Sequence, residues 1–263
     1  MADAKLDRQE QKLIELYRAA EAKLLEELAT DVGRGNLASA KYRTARLEAI
    51  TGVLSQLQDK AVPAANELIG AAYISGSTAA TRAVAGSLPA FGSGVHNEAM
   101  NIIADNLVSG LNQAAQVVGR TIEDAYRQAG LEAATELIGT GGTRASASRT
   151  LARLLEAKGI NAGPGGASGW KLSRYTQMVI RTNTADAIIR GNVNTALQDG
   201  YDLVEVLVAD PCDLCAPYDG EVFTLTDRAG YESIYDFGEG TLPPFHPNCR
   251  CDLNVLTEDP NAN

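Results

Sequence analysis

Apolar residues recur at helical spacing through most of the chain. Leu6, Leu13, Tyr17, Leu24 and Leu28 stand at near-heptad steps with Glu and Lys between them, so residues 3–31 are expected to form one amphipathic helix. Asp3 suits its N-cap and the Gly33-Arg-Gly35 stretch its stop. A second helix is expected from Leu37 to Gln58, with Leu47, Ile50, Leu54 and Leu57 on one side. Pro63 fits the first turn of a third helix that reaches Val84. Gly86 to Gly94 is a break. After it, Met100, Ile103, Leu107, Leu111, Val118 and Ile122 keep step in a long helix over 96–128. Short helical pieces at 131–138 and 144–157 flank the Gly139–Gly142 stretch. These stripes suit the inner face of a helix bundle better than a coiled-coil seam, because the helices break at short intervals.

Gly159 to Gly169 reads GINAGPGGASG, which is the wording of a linker. Helical period returns over Trp170–Gln198, and Gly200 follows as a C′ residue. Then the period changes to two. Val204, Val206 and Val208 alternate with Glu205 and Leu207, as in a strand. Asp219-Gly220 reads as a turn into a second strand at 221–223, and 251–256 supplies a third. The expected fold class is therefore α+β. A mostly helical region over 1–160 precedes a small α+β module over 170–257, and a polar, frayed tail follows at 258–263.

Composition agrees with this division. Hydrophobic residues make up 45% of the 263, aromatics only 5%, and alanine is abundant, so helices packed through small side chains are favoured. The opening residues are charged, which does not resemble a secretory signal, and no apolar run is long enough for a membrane span. The net charge is −10. Residues 201–263 carry 13 acidic residues against 2 arginines, whereas the first 200 are nearly neutral. An acidic module repels phosphates, which makes it a poor candidate for a DNA-binding surface; any local contact with DNA is left to the near-neutral front, where no basic block advertises it.

All four cysteines and one of the two histidines lie within forty residues, as Cys212-Asp-Leu-Cys215 and His246-Pro-Asn-Cys249-Arg-Cys251. A Cys-x-x-Cys turn presents two thiolates to one ion. The second cluster adds three donors, and a structural zinc takes four. Cys212, Cys215 and Cys249 are the first choices, with His246 and Cys251 competing for the fourth place. Cys249 and Cys251 share one side of an extended segment, opposite Arg250. Two disulfides, or a reduced cluster without metal, would use the same cysteines. Asp210, Asp213, Asp219 and Glu221 form a solvated acidic rim. Gly139–Thr143 reads as a helix break and lacks the ending of a phosphate loop.

An enzyme reading competes. His96-Asn-Glu98 and Pro211-Cys212-Asp-Leu-Cys215 spell the two halves of a zinc nucleobase deaminase signature. Three observations oppose it. The halves lie more than a hundred residues apart, a turn follows the Cys-x-x-Cys where that chemistry needs a helix, and the second cluster would have no role. His96 is then expected to be a solvated residue at the start of a helix.

The later wording resembles the phage Mu protein F-like family of minor head proteins. The matching pieces are Ile180-Arg181-Thr182, Asn183-Thr-Ala185, Asn194-Thr-Ala196, Asp210-Pro-Cys-Asp-Leu-Cys215, Asp219-Gly-Glu-Val-Phe223 and Leu242-Pro-Pro-Phe-His-Pro-Asn-Cys-Arg-Cys251. Agreement in order and spacing covers about residues 170–256, and the last string is the most specific. The resemblance implies a non-enzymatic structural protein of the tailed-phage head, made in the host cytoplasm and carried in the virion. Its implied partners are the portal or capsid proteins and packaged DNA. Arg181 and Arg250 occupy the family's arginine positions, where pairing with the acidic rim would fix the helix against the metal loop. No Ser-His-Asp grouping can be assembled, and two histidines restrict acid–base chemistry near neutral pH.

Overall fold

The computed structural model describes residues 4–34, 36–37, 39–89, 91, 94–139, 144–160, 172–209, 211–236 and 242–261. Asp3, Asp210, most of the Gly139–Thr143 stretch and nearly all of the Gly-rich stretch after Gly159 lie outside them. Among the described residues five helices come first: α1 (Ala4–Arg34), α2 (Ala40–Ala83), α3 (Gly94–Gly139), α4 (Arg144–Ala157) and α5 (Leu172–Gln198). Four short strands follow: β1 (Leu203–Val208), β2 (Val222–Thr224), β3 (Glu232–Ser233) and β4 (Cys251–Val255). The fold class is α+β, with a helical front and a small C-terminal sheet.

The helices are longer than their local signals. α2 runs through Pro63, where the sequence suggested a new helix. A proline inside a helix removes one hydrogen bond and strains the preceding turn. Here Leu57, Ala61, Ala65 and Leu68, all buried on either side of it, keep the helix continuous through packing. Residues 131–138 likewise belong to α3 and are not a separate piece.

The chain forms two compact units, each assembled from several segments. The first comprises Met1–Gln11, Ala64–Val108 and Met178–Asn263, and the second Lys12–Pro63 and Ser109–Gln177. In the second unit Leu13, Tyr17, Leu24 and Leu28 of α1, Ile122 of α3 and Leu155 of α4 are buried. Its interior also holds a carboxylate. Asp31 is fully buried and accepts hydrogen bonds from Tyr42, Tyr126 and Arg46, and Arg46 also reaches Glu27. Three helices thus share one charged, satisfied node.

In the first unit α2 and α5 cross with their backbones almost touching. A Cβ on Gly76 would lie 1.9 Å from the Ile188 carbonyl oxygen, and one on Gly191 2.1 Å from that of Tyr73. Only glycine permits so close an approach. Ser77 Oγ donates to the Gly191 carbonyl at 3.1 Å across the same crossing.

The sheet has the order β3-β2-β1-β4. β1 is antiparallel to both β2 and β4, and the two-residue β3, which no sequence signal announced, runs parallel to β2. The register sets Val204 opposite Phe223 on one side and opposite Val255 on the other. The buried residues Val204, Val206, Phe223, Leu253 and Val255 pack with Ile189, Val193 and Ala196 of α5. Asn192 of α5 donates to the Leu253 carbonyl at 2.9 Å, which occupies a backbone acceptor of β4.

Candidate metal centre

The pairing of β1 with β4 builds the site. Val208, the last residue of β1, stands opposite Cys251, the first of β4. The Cys-x-x-Cys turn leaves β1 at that end, and the His246–Cys249 turn enters β4 at the same end. Two clusters more than thirty residues apart therefore meet above one strand pair.

Each turn is fixed by its own backbone. Cys215 and Ala216 N–H donate to the Cys212 carbonyl at 3.0 and 2.8 Å, curling the chain into one turn. Asp219 closes the excursion by accepting from Val208 N–H at 3.0 Å, so this acidic residue is a turn former. In the second turn Cys249 N–H donates to the His246 carbonyl at 3.0 Å. Asn248 adopts a positive φ of 61° and donates its N–H to Thr182 Oγ1 of α5 at 3.2 Å. Thr182 thus ties the helix to the loop. Arg181, next to it, makes its ion pair with Glu10 of α1 at 3.3 Å.

The donors converge in two groups that share Cys215: Cys212, Cys215 and His246, and Cys215, Cys249 and Cys251. Cys212 Sγ and Cys215 Sγ are 3.5 Å apart, and Cys215 Sγ and Cys249 Sγ 3.8 Å. His246 Nε2 lies 3.2 Å from Cys212 Sγ and 3.0 Å from Cys215 Sγ. Bond lengths of about 2.3 Å to sulfur and 2.0 Å to nitrogen give a tetrahedral zinc site edges of about 3.8 Å (S–S) and 3.5 Å (S–N). The sulfur separations are close to those edges and the nitrogen ones slightly short, so Cys212, Cys215 and His246 can share such an ion, with Cys249 and Cys251 grouped about the same Cys215. None of the four cysteines is disulfide-bonded. Cys249 and Cys251 are buried and Arg250 is exposed, as alternation requires.

Protonation is uneven across the cluster. The N–H groups of Cys215 and Leu214 hold the Cys212 thiol below its ordinary range. Burial opposes ionisation of Cys249, but hydrogen bonds from Cys251 bring it down as well. Burial pushes Cys215 up, and Cys251 up to about 11. His246 is raised, first by its bond to the Pro247 carbonyl and then by the neighbouring thiolates. That bond, from Nδ1 at 2.9 Å, leaves Nε2 turned toward the sulfurs, the orientation a metal-ligating imidazole needs.

The other motif residues lie elsewhere. His96 is buried, not solvated. Its Nδ1 is 3.0 Å from the Tyr73 hydroxyl and its Nε2 2.6 Å from Gln198 Oε1, so both ring nitrogens are engaged. Glu98 is exposed on α3. Neither belongs to a metal-capable group among the described residues, and the deaminase constellation does not assemble. Asp213 and Glu221 are exposed, as a solvated rim requires. Sequence reasoning did not single out Tyr218 and Phe245, whose rings pack at 5.1 Å beside the metal turns. Phe245, set between Pro243-Pro244 and His246-Pro247, was the available signal. No described helix is long and apolar enough to cross a membrane.

No curated protein and no solved structure matches the chain. The family model of Phage minor capsid protein 2 matches residues 1–259, the helical front and the cysteine turns together. The chain therefore belongs to the phage minor capsid protein 2 family, whose role is structural and whose place is the phage capsid.

Proposed function

We propose that the protein is a minor component of the tailed-phage head, held near the portal by its helices and acting in head assembly or DNA delivery, in the manner of Mu F-like proteins. The observation that supports this most directly is the reach of the family match, which runs through the helical front as well as the cysteine turns. Portal or neighbouring capsid proteins are its partners. Contact with packaged DNA falls to the N-terminal region and weakens with salt, because residues 201–263 are strongly acidic. It reaches the virion from the host cytoplasm, where heads assemble.

In this reading the cluster holds one structural zinc through Cys212, Cys215, His246 and Cys249. Cys212, Cys215 and His246 lie 3.0 to 3.5 Å from one another, and Cys249 joins them through Cys215 at 3.8 Å. Cys251, at the start of β4, lies within 4.8 Å of Cys215 and Cys249 and is the competing ligand. Bound zinc would supply folding free energy by joining two turns that the sheet only brings near. Four protein donors fill a tetrahedral site, which supports a closed centre over the open one a hydrolase or deaminase needs. Mass spectrometry of purified virions and procapsids, with cross-linking to the portal, tests the proposal. The chain is expected in both particles with cross-links to the portal or its neighbours. Its absence from both would overturn the reading.

A further inference from the structure

In the second unit α2 and α3 run antiparallel and leave a groove of about 860 Å³ between residues 44–58 and 115–123. We propose that this groove seats an amphipathic helix of another head protein, with apolar anchors along its buried face and a basic end. The inference rests on the partner-binding role proposed above and adds where and by what chemistry.

Shape, room and charge support it. Leu47, Ile50 and Leu54 supply the apolar surface, and Leu47 and Leu54 are only partly buried by their own chain. The α2 side spans four helical turns, the length over which i, i+3, i+4 and i+7 anchors of a bound helix repeat. Gly52 lies in the interior of α2, where glycine is a poor helix former. A Cβ there would meet nothing within 4 Å, so the chain's own packing does not require the missing side chain. Across the groove Gly119 leaves just enough room for Leu54, whose Cδ1 would lie 3.1 Å from an added Cβ. The two glycines keep the walls low, which lets a second backbone approach closely.

The lining contains two ionisable residues, Glu48 and Glu123, both exposed and both at the end of the groove away from Gln58. Arg120 stands outside the lining and reaches Gln116 at 3.4 Å. Two carboxylates without a lining cation favour Lys or Arg on the incoming helix and disfavour an acidic one.

The test uses the full-length protein and an 18-residue helical peptide with Leu at i, i+3, i+7 and i+10 and Lys at one end, followed by fluorescence anisotropy. Wild type is expected to bind it, and to bind the same peptide with Glu in place of Lys at least tenfold more weakly. Gly52→Leu adds a side chain into the groove from a Cβ that meets nothing within 4 Å, and should weaken binding at least tenfold while helical circular dichroism is unchanged. Glu48→Lys with Glu123→Lys should reverse the preference between the two peptides. Equal binding of both peptides, or no effect of Gly52→Leu, would overturn the proposal. So would a wild-type dimer in sedimentation that Gly52→Leu dissociates, because the occupant would then be a second copy. In phage carrying Gly52→Leu, heads should lose the chain. Heads that retain it sink the groove while leaving the head role intact, whereas absence of the wild-type chain from heads sinks the role itself.

Discussion

Replacing Asp31 by alanine tests whether the charged node in the second unit holds its helices together. Asp31 is fully buried and accepts from Tyr42, Arg46 and Tyr126. Its loss leaves three donors to find other partners. Tyr126 is itself fully buried, so its hydroxyl stays unpaired at a cost of about 1–3 kcal/mol. Arg46 loses its bond at 2.8 Å but keeps Glu27, and its side chain is 19% exposed. Its share therefore falls below the roughly 3–5 kcal/mol of a fully buried broken pair. Tyr42 is only half-buried and can turn to water. Together these give a loss of about 3–4 kcal/mol, dominated by Tyr126 and Arg46. For a chain of this size, that lowers the melting temperature by roughly 6–16 °C. Urea and thermal unfolding followed by circular dichroism would measure it. Asp31→Asn, which keeps the shape and one carbonyl acceptor, should cost less than Asp31→Ala. Tyr126→Phe combined with Asp31→Ala should cost less than the sum of the two, because both remove the same bond. A drop under about 2 °C for Asp31→Ala, with unfolding still cooperative, would show that the node is dispensable and refute the reasoning.

Protein purified under reducing conditions should carry one zinc per chain by elemental analysis. Cys215→Ser, at the sulfur shared by both donor groups, should abolish loading, and Cys251→Ser should keep it; the reverse pattern would reassign the ligands. Gly191→Ala forces a methyl to within 2.1 Å of the Tyr73 carbonyl oxygen, and should destabilise the first unit by about 1–3 kcal/mol or more in denaturant titration. Tyr42 is pushed up to about 12 by burial and by Asp31, and Tyr126 is raised for the same reasons. The folded state thus holds these phenols neutral. Stability is full below pH 10, the ordinary tyrosine value, and falls as pH rises from there towards 12. Tyrosinate absorbance should show these groups titrating late, with unfolding; early, non-cooperative titration of all nine tyrosines would contradict it.

Local rules explain what was legible beforehand. Helical period fixes which side chains face inward, so Leu13, Tyr17, Leu24 and Leu28 are all buried on α1 as their spacing requires. Alternation in Val204–Val208 marks β1, and Gly200, with a φ of 85°, ends the helix before it. The donor types and their two-residue gaps identify a metal-capable cluster, because ligation depends on residues a turn apart. Each of these features involves neighbours within about one or two turns of chain.

What tertiary structure alone decided involves partners far apart in sequence. Pro63 ends a helix by local propensity, yet the buried residues around it carry α2 onward, because packing outweighs one lost hydrogen bond. His96 is followed by Asn97 and Glu98 at the start of a helix, but Tyr73 and Gln198 arrive from α2 and α5 to engage both its nitrogens, which offsets the cost of burial. Asp31 looks like any charged residue near a helix end until Tyr126 closes over it, 95 positions away. The two cysteine turns meet only because β4 pairs with β1 in a register that sets Cys251 opposite Val208. Periodicity tells which face of an element is apolar; it carries no information about which distant element covers that face, and here that choice placed the buried charge, the buried histidine and the Cys/His cluster.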